Sequence, residues 1–394
     1  MVETKLKSGY RSFIDLKYKP RDTDVLCQFK ITPAKGYEFN DVASMVAGES
    51  SVGTWTDVKT MNPKIGKKLA PKVYYLDKEN KRIRIAYPLD LFELGNLPCV
   101  MSSIGGNIYG MKSADGILWE DVRIPKKMLK SFKGPRYGIK GIRKYLKKDD
   151  ENLTSQNFNK FKKRFLLTIK ALKKAEKETG EKKVYLINCT AECEEMKRRI
   201  KFVEENGGNY IMLDILTLGW SALQTARNFT KLPIHAHRAG HAMFDRNPEH
   251  GMSMEIIAQW ARMVGVDTLH IGTAYGKMTG DKNEVLHIEQ EIENNFTPET
   301  KNNLEQKWYG TKPVFAVASG GVYPRIVDKI IDFMGKDVVI QAGGGIHGHP
   351  QGTIVGARAM RQAVDATMKK ISLDEYAKTH PELKTALEYW SNVR

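Results

Sequence analysis

Cysteine is scarce, and its scarcity removes two classes at once. The four cysteines, Cys27, Cys99, Cys189 and Cys193, show no paired framework, which argues against a disulfide-stapled scaffold; Cys189 with Cys193 alone are too few for a zinc site. No run of 18 or more apolar residues occurs, so no membrane-spanning helix is expected. The amino terminus, MVETKLKSGYRSF, lacks the apolar stretch of a secretory leader, and a cytoplasmic chain is expected. Low-complexity tracts are missing too. So is any aromatic-plus-arginine stretch of the kind a nucleic-acid module carries, and no nucleic-acid partner is expected.

What remains is a chain of 394 residues, 41% of them hydrophobic, enough for a packed core and for two or three domains. Lys and Arg number 63 against 46 Asp and Glu, a net charge of +17. Along helical segments such as FNKFKKRFLLTIKALKKAEKETGEKK the bases alternate with acids, so the excess reads as a solvated surface compatible with phosphorylated substrates.

Up to about residue 130, short strand signals (VLCQFKIT, KVYYLD, KRIRIAYPL) mix with a helical segment, FNDVASMVAG, which predicts an α+β domain over residues 1–130. Over residues 131–394 apolar runs alternate with helices: KVYLINCT, YIMLDIL, PIHAHR, TLHIGT, VFAVASGG and VVIQAGGG. Between them, apolar spacings of three and four recur, as at Met252, Ile256, Trp260 and Met263. This alternation predicts an α/β fold of (β/α)8 TIM-barrel type, whose chemistry sits at the carboxyl ends of the strands. With RKYL counted, seven strand signals stand where a complete barrel has eight. LDEYAKTHPELKTALEYW predicts two short carboxyl-terminal helices broken at Pro381.

The strand ends carry the chemistry. In KYLKKDDENL, Lys148 and Asp150 point the same way along an extended strand and Glu151 follows. Two carboxylates are a meagre cage for Mg2+, which takes octahedral oxygen ligands; a neutral lysine amine that adds CO2 becomes a carbamate and supplies another anionic oxygen. Taken alone, the run reads as a solvated charge cluster capping the next helix. In PIHAHRAGHAMFDRNPEHG, His235 and His237 share one strand face, Arg238 follows at the rim and His241 lies four residues beyond His237. Three histidines with an arginine predict a site, and arginine offers the fork a phosphate or carboxylate needs. His270 ends TLHIGT, and the loop GKMTGDKNE presents Lys277, either to close over a substrate or as a plain surface turn. Ser319 in VASGG and Gly343, Gly344 and Gly345 in IQAGGGIHGHP follow the last two strands, where backbone N–H groups of barrels bind phosphate.

Together KDDENLTSQ, GWSALQTAR, HAHRAGHAMFDRNPEHG, LHIGTAYGKMTGD, VASGG and QAGGGIHGHP resemble, in order and separation, the large chain of ribulose-1,5-bisphosphate carboxylase/oxygenase (Rubisco) of the archaeal type. The similarity covers nearly the whole chain. AGESSVGTWTDV and GGNIYGMK look like the two stretches that this family extends across a dimer interface into the partner's barrel. The resemblance implies a homodimer or higher oligomer of dimers with shared active sites and no small subunit. It implies Mg2+ as cofactor and addition of CO2 (or O2) to the enediolate of ribulose 1,5-bisphosphate, a carbon–carbon lyase reaction giving 3-phosphoglycerate in salvage of nucleotide-derived ribose.

Residue roles are implied by the same resemblance. Lys148 takes up the activating CO2, with Asp150 and Glu151 as the other Mg2+ ligands. Glu49 and Asn107 come from the neighbouring subunit, Glu49 holding the lid lysine and Asn107 contacting substrate. Thr54, Trp55, Gly343 and Gly344 bind one phosphate, and Arg238, His270 and Ser319 the other side of the substrate. His237 assists proton movements, and Lys277 stabilises the new carboxylate.

One departure matters. Family members carry, just before the acidic strand, a strand ending in Lys-Pro-Lys, whose first lysine removes the substrate's C3 proton. Here FKGPRYGIKGIRKYL runs straight into KKDDEN, although a strand, a helix and their turns take about 30 residues. The one nearby candidate for that base, Lys140 in YGIKGI, lies in residues that read as helix. An incomplete barrel and impaired enolisation are expected of such a deletion form. Three other readings compete. A Rubisco-like sugar-phosphate enolase or isomerase does not need the whole set Glu49, Thr54, Trp55, Arg238, Lys277 and Ser319. A zinc amidohydrolase places His-x-His before its carbamylated lysine. The last is a non-enzymatic oligomer partner.

Overall fold

Apolar residues fill VLCQFKITP so densely that its first five positions are all buried, the pattern of a strand with neighbours on both sides. In the computed structural model, which describes residues 12–51, 63–106, 108–143, 154–155, 159–275 and 282–391, this is β1 (Val25–Pro33). It is followed by α1 (Phe39–Glu49), α2 (Pro63–Leu69), β2 (Lys72–Asp77), β3 (Arg82–Tyr87), α3 (Leu97–Gly105), β4 (Ala114–Arg123) and α4 (Lys126–Leu129). β1 pairs antiparallel with both β3 and β4, and β2 pairs with β3. The three predicted strands and α1 form. β4 carried no predicted strand, because Asp115, Gly116 and Asp121 interrupt its apolar alternation.

Next come α5 (Gly138–Ile142), α6 (Phe161–Thr179), β5 (Ile187–Asn188), α7 (Cys193–Glu205), β6 (Ile211–Asp214), α8 (Ile215–Phe229) and β7 (Ile234–His237). α9 (Ala242–Asp245), β8 (Gly251–Met252), α10 (Met254–Val264), β9 (Thr268–His270) and α11 (Lys282–Glu293) continue the alternation. A short antiparallel pair, β10 (Phe296–Thr297) with β11 (Gln306–Lys307), precedes β12 (Phe315–Ala318), α12 (Val327–Met334) and β13 (Val338–Ile340). The chain ends in α13 (Gly344–His347), α14 (Thr353–Met368), α15 (Leu373–Ala377) and α16 (Pro381–Tyr389), the last two separated just before Pro381 as predicted.

Six strands, β5, β6, β7, β9, β12 and β13, form one parallel sheet in chain order, the succession of a (β/α) barrel wall. Six of the seven predicted barrel strands are therefore present. Of the seventh, RKYL, Arg143 caps α5 and the remainder lies outside the described residues. Among the described residues, β5 and β13 each have a single strand neighbour and nothing joins them.

Side chains two apart on a strand share a face, and this splits the inside of the arc into layers. At the amino ends, Val184, Leu186, Tyr210, Met212 and Phe315 pack with Ile142 of α5 into an apolar floor, with Tyr137 and Ile139 against it. The floor is locked by a buried pair: Asp267 accepts from Arg227 at 3.2 Å and from the amides of Tyr137 at 2.9 Å and Ile234 at 3.0 Å. Lys140 sits exposed on this floor helix, at the amino ends of the strands, the end of the barrel opposite the predicted site.

The barrel and the first sheet are joined directly. β8 pairs parallel with β4, at Leu118 with Gly251 and Trp119 with Met252. Gly251 has φ +128, and a Cβ there would lie 1.9 Å from the Phe244 carbonyl oxygen, so only glycine fits. Beside this seam Trp119 and Trp260 meet edge to face at 5.1 Å, and Trp220 meets Trp260 at 5.4 Å.

Candidate active site

At the carboxyl ends of the same strands the inward side chains turn polar. His235 and His237 point inward from β7, as their i, i+2 spacing predicts, and each ring lies 4.6 Å from that of His270 at the end of β9. Buried His235 and His270 touch through their Nε2 atoms at 2.6 Å. Thr268 Oγ1 lies 2.7 Å from His235 Nδ1 and Ser319 Oγ 2.8 Å from His270 Nδ1, while Tyr210 reaches Thr268 from the floor at 3.1 Å. Burial, with the charge of His237, lowers His235 to about 3. Burial, helped by the two other histidines and Arg238, takes His270 well below the ordinary histidine value. Both rings are thus neutral, and one Nε2 donates to the other. The direction of that bond decides whether Ser319 donates to His270 or accepts from it.

His237 is wired differently. Its Nδ1 accepts from the Ala239 amide at 3.1 Å and lies 3.1 Å from Asp214 Oδ1, a buried oxygen with no hydrogen-bond donor among the described residues. Asp214 is held by the Asn188 amide at 3.0 Å through Oδ2, and its backbone N–H donates to Thr190 at 2.8 Å. A proton placed on Nδ1 would turn it from acceptor of the Ala239 N–H into donor to Asp214 Oδ1, an exchange that suits proton movement. Arg238, half-buried at the rim, lies over Gly272; a Cβ at that glycine, whose φ is +96, would come within 3.0 Å of Nη2. Burial lowers the Arg238 pKa, opposed by Asp245 and Glu284.

The structure thus gathers His237, Arg238, His270 and Ser319. Gly343 precedes α13 and Gly344 opens it, with open space where a Cβ on Gly344 would be. Glu49 ends α1, half-buried. His241 turns instead to Asp245, at 2.6 Å. Lys148, Asp150, Glu151, Thr54, Trp55, Asn107 and Lys277 lie outside the described residues. Asn188, Thr190 and Asp214 were missed in the sequence, where the one available signal was a polar residue at the end of an apolar strand.

Comparison with known proteins gives this arrangement a family. The profile of the ribulose bisphosphate carboxylase large chain, N-terminal domain, matches residues 12–128, and that of the catalytic domain matches residues 141–390. A protein of Methanosarcina mazei named ribulose bisphosphate carboxylase is 44% identical, covering 96% of this chain and 99% of its own. One of the same name from Pyrococcus abyssi is 41% identical, with both chains covered in full. The alignment with the former runs over 423 positions, whereas 96% of 394 residues is about 378, so about 45 positions have no residue in this chain. Among solved structures, the dimeric archaeal Rubisco of Hyperthermus butylicus superposes with a TM-score of 0.89 at 42% identity, covering 97% of this chain and 99% of the other. The octameric Rubisco of Pyrococcus horikoshii OT3 gives 0.87 at 38%, covering 97% of each. Two matched domains, and relatives above 40% identity along nearly the whole length, make this chain a member of the Rubisco large-chain family.

Proposed function

We propose that this chain is a ribulose-1,5-bisphosphate carboxylase whose enolisation is slowed by loss of a strand–helix segment and its base. The observation that carries the reading is the convergence of His237, Arg238, His270 and Ser319 at the carboxyl ends of β7, β9 and β12. In this reading Arg238, His270 and Ser319 bind one side of the sugar bisphosphate; Thr54, Trp55, Gly343 and Gly344 hold the phosphate on the other. His237 moves protons with Asp214 behind it, and Lys277 stabilises the new carboxylate from a loop that excludes water.

Carbamylated Lys148, Asp150 and Glu151 form an all-oxygen donor set of the kind Mg2+ takes, and when bound the ion would supply Lewis-acid stabilisation of the enediolate. Glu49 and Asn107 serve the partner's barrel, so the working unit is at least a dimer without a small subunit; dimeric and octameric relatives support a homo-oligomer. The substrate comes from salvage of nucleotide-derived ribose. The positions without a counterpart in this chain support a deleted Lys-Pro-Lys segment. Fixation of labelled CO2 onto ribulose bisphosphate, measured with and without pre-incubation in CO2 and Mg2+, tests the proposal: slow, pre-incubation-dependent product is expected, and its absence at any enzyme concentration would contradict it.

A further inference from the structure

Away from the barrel mouth, α10 packs against α11, and each helix presents a polar pair four residues apart. Glu255 with Gln259, and His287 with Glu291, therefore lie on shared helix faces. Glu255 Oε2 is 3.4 Å from His287 Nδ1, and donor atoms of Glu255, His287 and Glu291 all fall within 4.8 Å of one another. Ligands each about 2.1 Å from one ion are at most about 4.2 Å apart, so a small adjustment closes this set around a single cation.

The surroundings leave acceptors unmet. Glu291 is fully buried; its Oε2 accepts from Gln259 at 3.2 Å, while its Oε1, with Thr297 nearby, meets no donor at hydrogen-bond distance among the described residues. Gln259, also fully buried, gives the same Nε2 to Asp121 at 3.0 Å and leaves its Oε1 without a partner. A buried acceptor left without a donor is unfavourable, and Glu291 Oε1 belongs to this set. Two nearby arginines are engaged elsewhere. Arg84 serves Gln28, Glu299 and the Thr300 carbonyl, and Arg262 serves the carbonyls of Glu291, Asn294 and Thr311.

We propose that Glu255, His287 and Glu291 bind a divalent transition-metal ion of the zinc class, separate from the Mg2+ set at the mouth. Two carboxylates with one imidazole suit such an ion, and three protein ligands leave a position for water. Asn303, whose Nδ2 donates to Glu255 at 2.9 Å and lies against the His287 ring, and Gln259 hold the ligands in place. The ion braces α10 and α11 against the loop at residues 299–304 and, through Asp121, against β4, the seam between barrel and first sheet.

The full-length oligomer, stripped with a chelator, saturated with Mg2+ and titrated calorimetrically with ZnCl2, tests this independently of carboxylation. One zinc per chain is expected, with binding lost in His287→Gln and in Glu291→Gln. Binding should weaken about 10- to 100-fold in Gln259→Ala, which removes a partner of Glu291. Co2+ in place of Zn2+ should give visible absorption bands that vanish in the ligand variants. Circular dichroism confirms folding, and His287→Gln, at the most exposed ligand of the set, serves if the buried Glu291→Gln variant unfolds. Zinc uptake that is absent in the wild type, or unchanged in the folded ligand variants, overturns the proposal.

Discussion

The floor and the mouth of the barrel are built on the same strands, a few residues apart, and they do opposite things. Leu186 and Met212 face the apolar floor; two residues on, Asn188 and Asp214 face the polar mouth. Phe315 packs below, and Ser319 bonds His270 above. The inward face thus separates stability from chemistry along one strand length, the usual division in barrels. The proposed deletion falls unequally on the two. The floor keeps its plug, because α5 precedes the junction and contributes Ile142 to the cluster, and Arg143 pairs with Asp337 at the foot of β13. In the proposed reading the mouth loses its base, so the chemistry suffers more than the stability.

Substitutions in each layer sharpen the contrast. The largest stability effect is expected in the floor. Asp267→Ala removes the buried partner of Arg227 and the acceptor for two amides, and should lower unfolding free energy by about 3–5 kcal/mol in urea titrations, leaving substrate affinity of the folded fraction unchanged. At the mouth the pattern reverses. Arg238→Ala should weaken sugar-bisphosphate binding by about 10- to 100-fold, the worth of a charge-assisted contact, with little change in the urea midpoint.

Between the layers, His235→Asn probes pH. His235 and His270 are neutral in the fold and take their ordinary pKa when unfolded, so below about pH 6.5 the unfolded state binds extra protons and stability falls with acidification. His235 contributes about 1.4 kcal/mol per pH unit between its ordinary value and about pH 3, and His270 adds to the loss in the same direction. The variant should lose stability less steeply between pH 6 and 4, and parallel curves would contradict neutral, buried rings.

Much of this was legible beforehand, for physical reasons. Apolar runs alternating with amphipathic helices forecast the parallel sheet, and the spacing of His235 and His237 forecast their shared face, because both depend on local periodicity. What depends on distant contacts was not legible. The pairing of β8 with β4 joins residues more than a hundred positions apart, and Gly251 gives no hint of it in the sequence. Asp214 looks like any strand-end acid until folding brings it beside His237. The plugging role of α5 follows only from its contacts with Val184, Leu186 and Phe315.

In the proposed reading the mouth is a carboxylase site without its base above a whole floor. Side-by-side turnover of the chain as it stands, and of a version carrying a family strand–helix segment with Lys-Pro-Lys between Leu146 and Lys147, decides this. The account predicts Mg2+-dependent 3-phosphoglycerate formation that rises about 10²- to 10⁴-fold on insertion, the contribution of a positioned base. Equal rates in two well-folded proteins would contradict it.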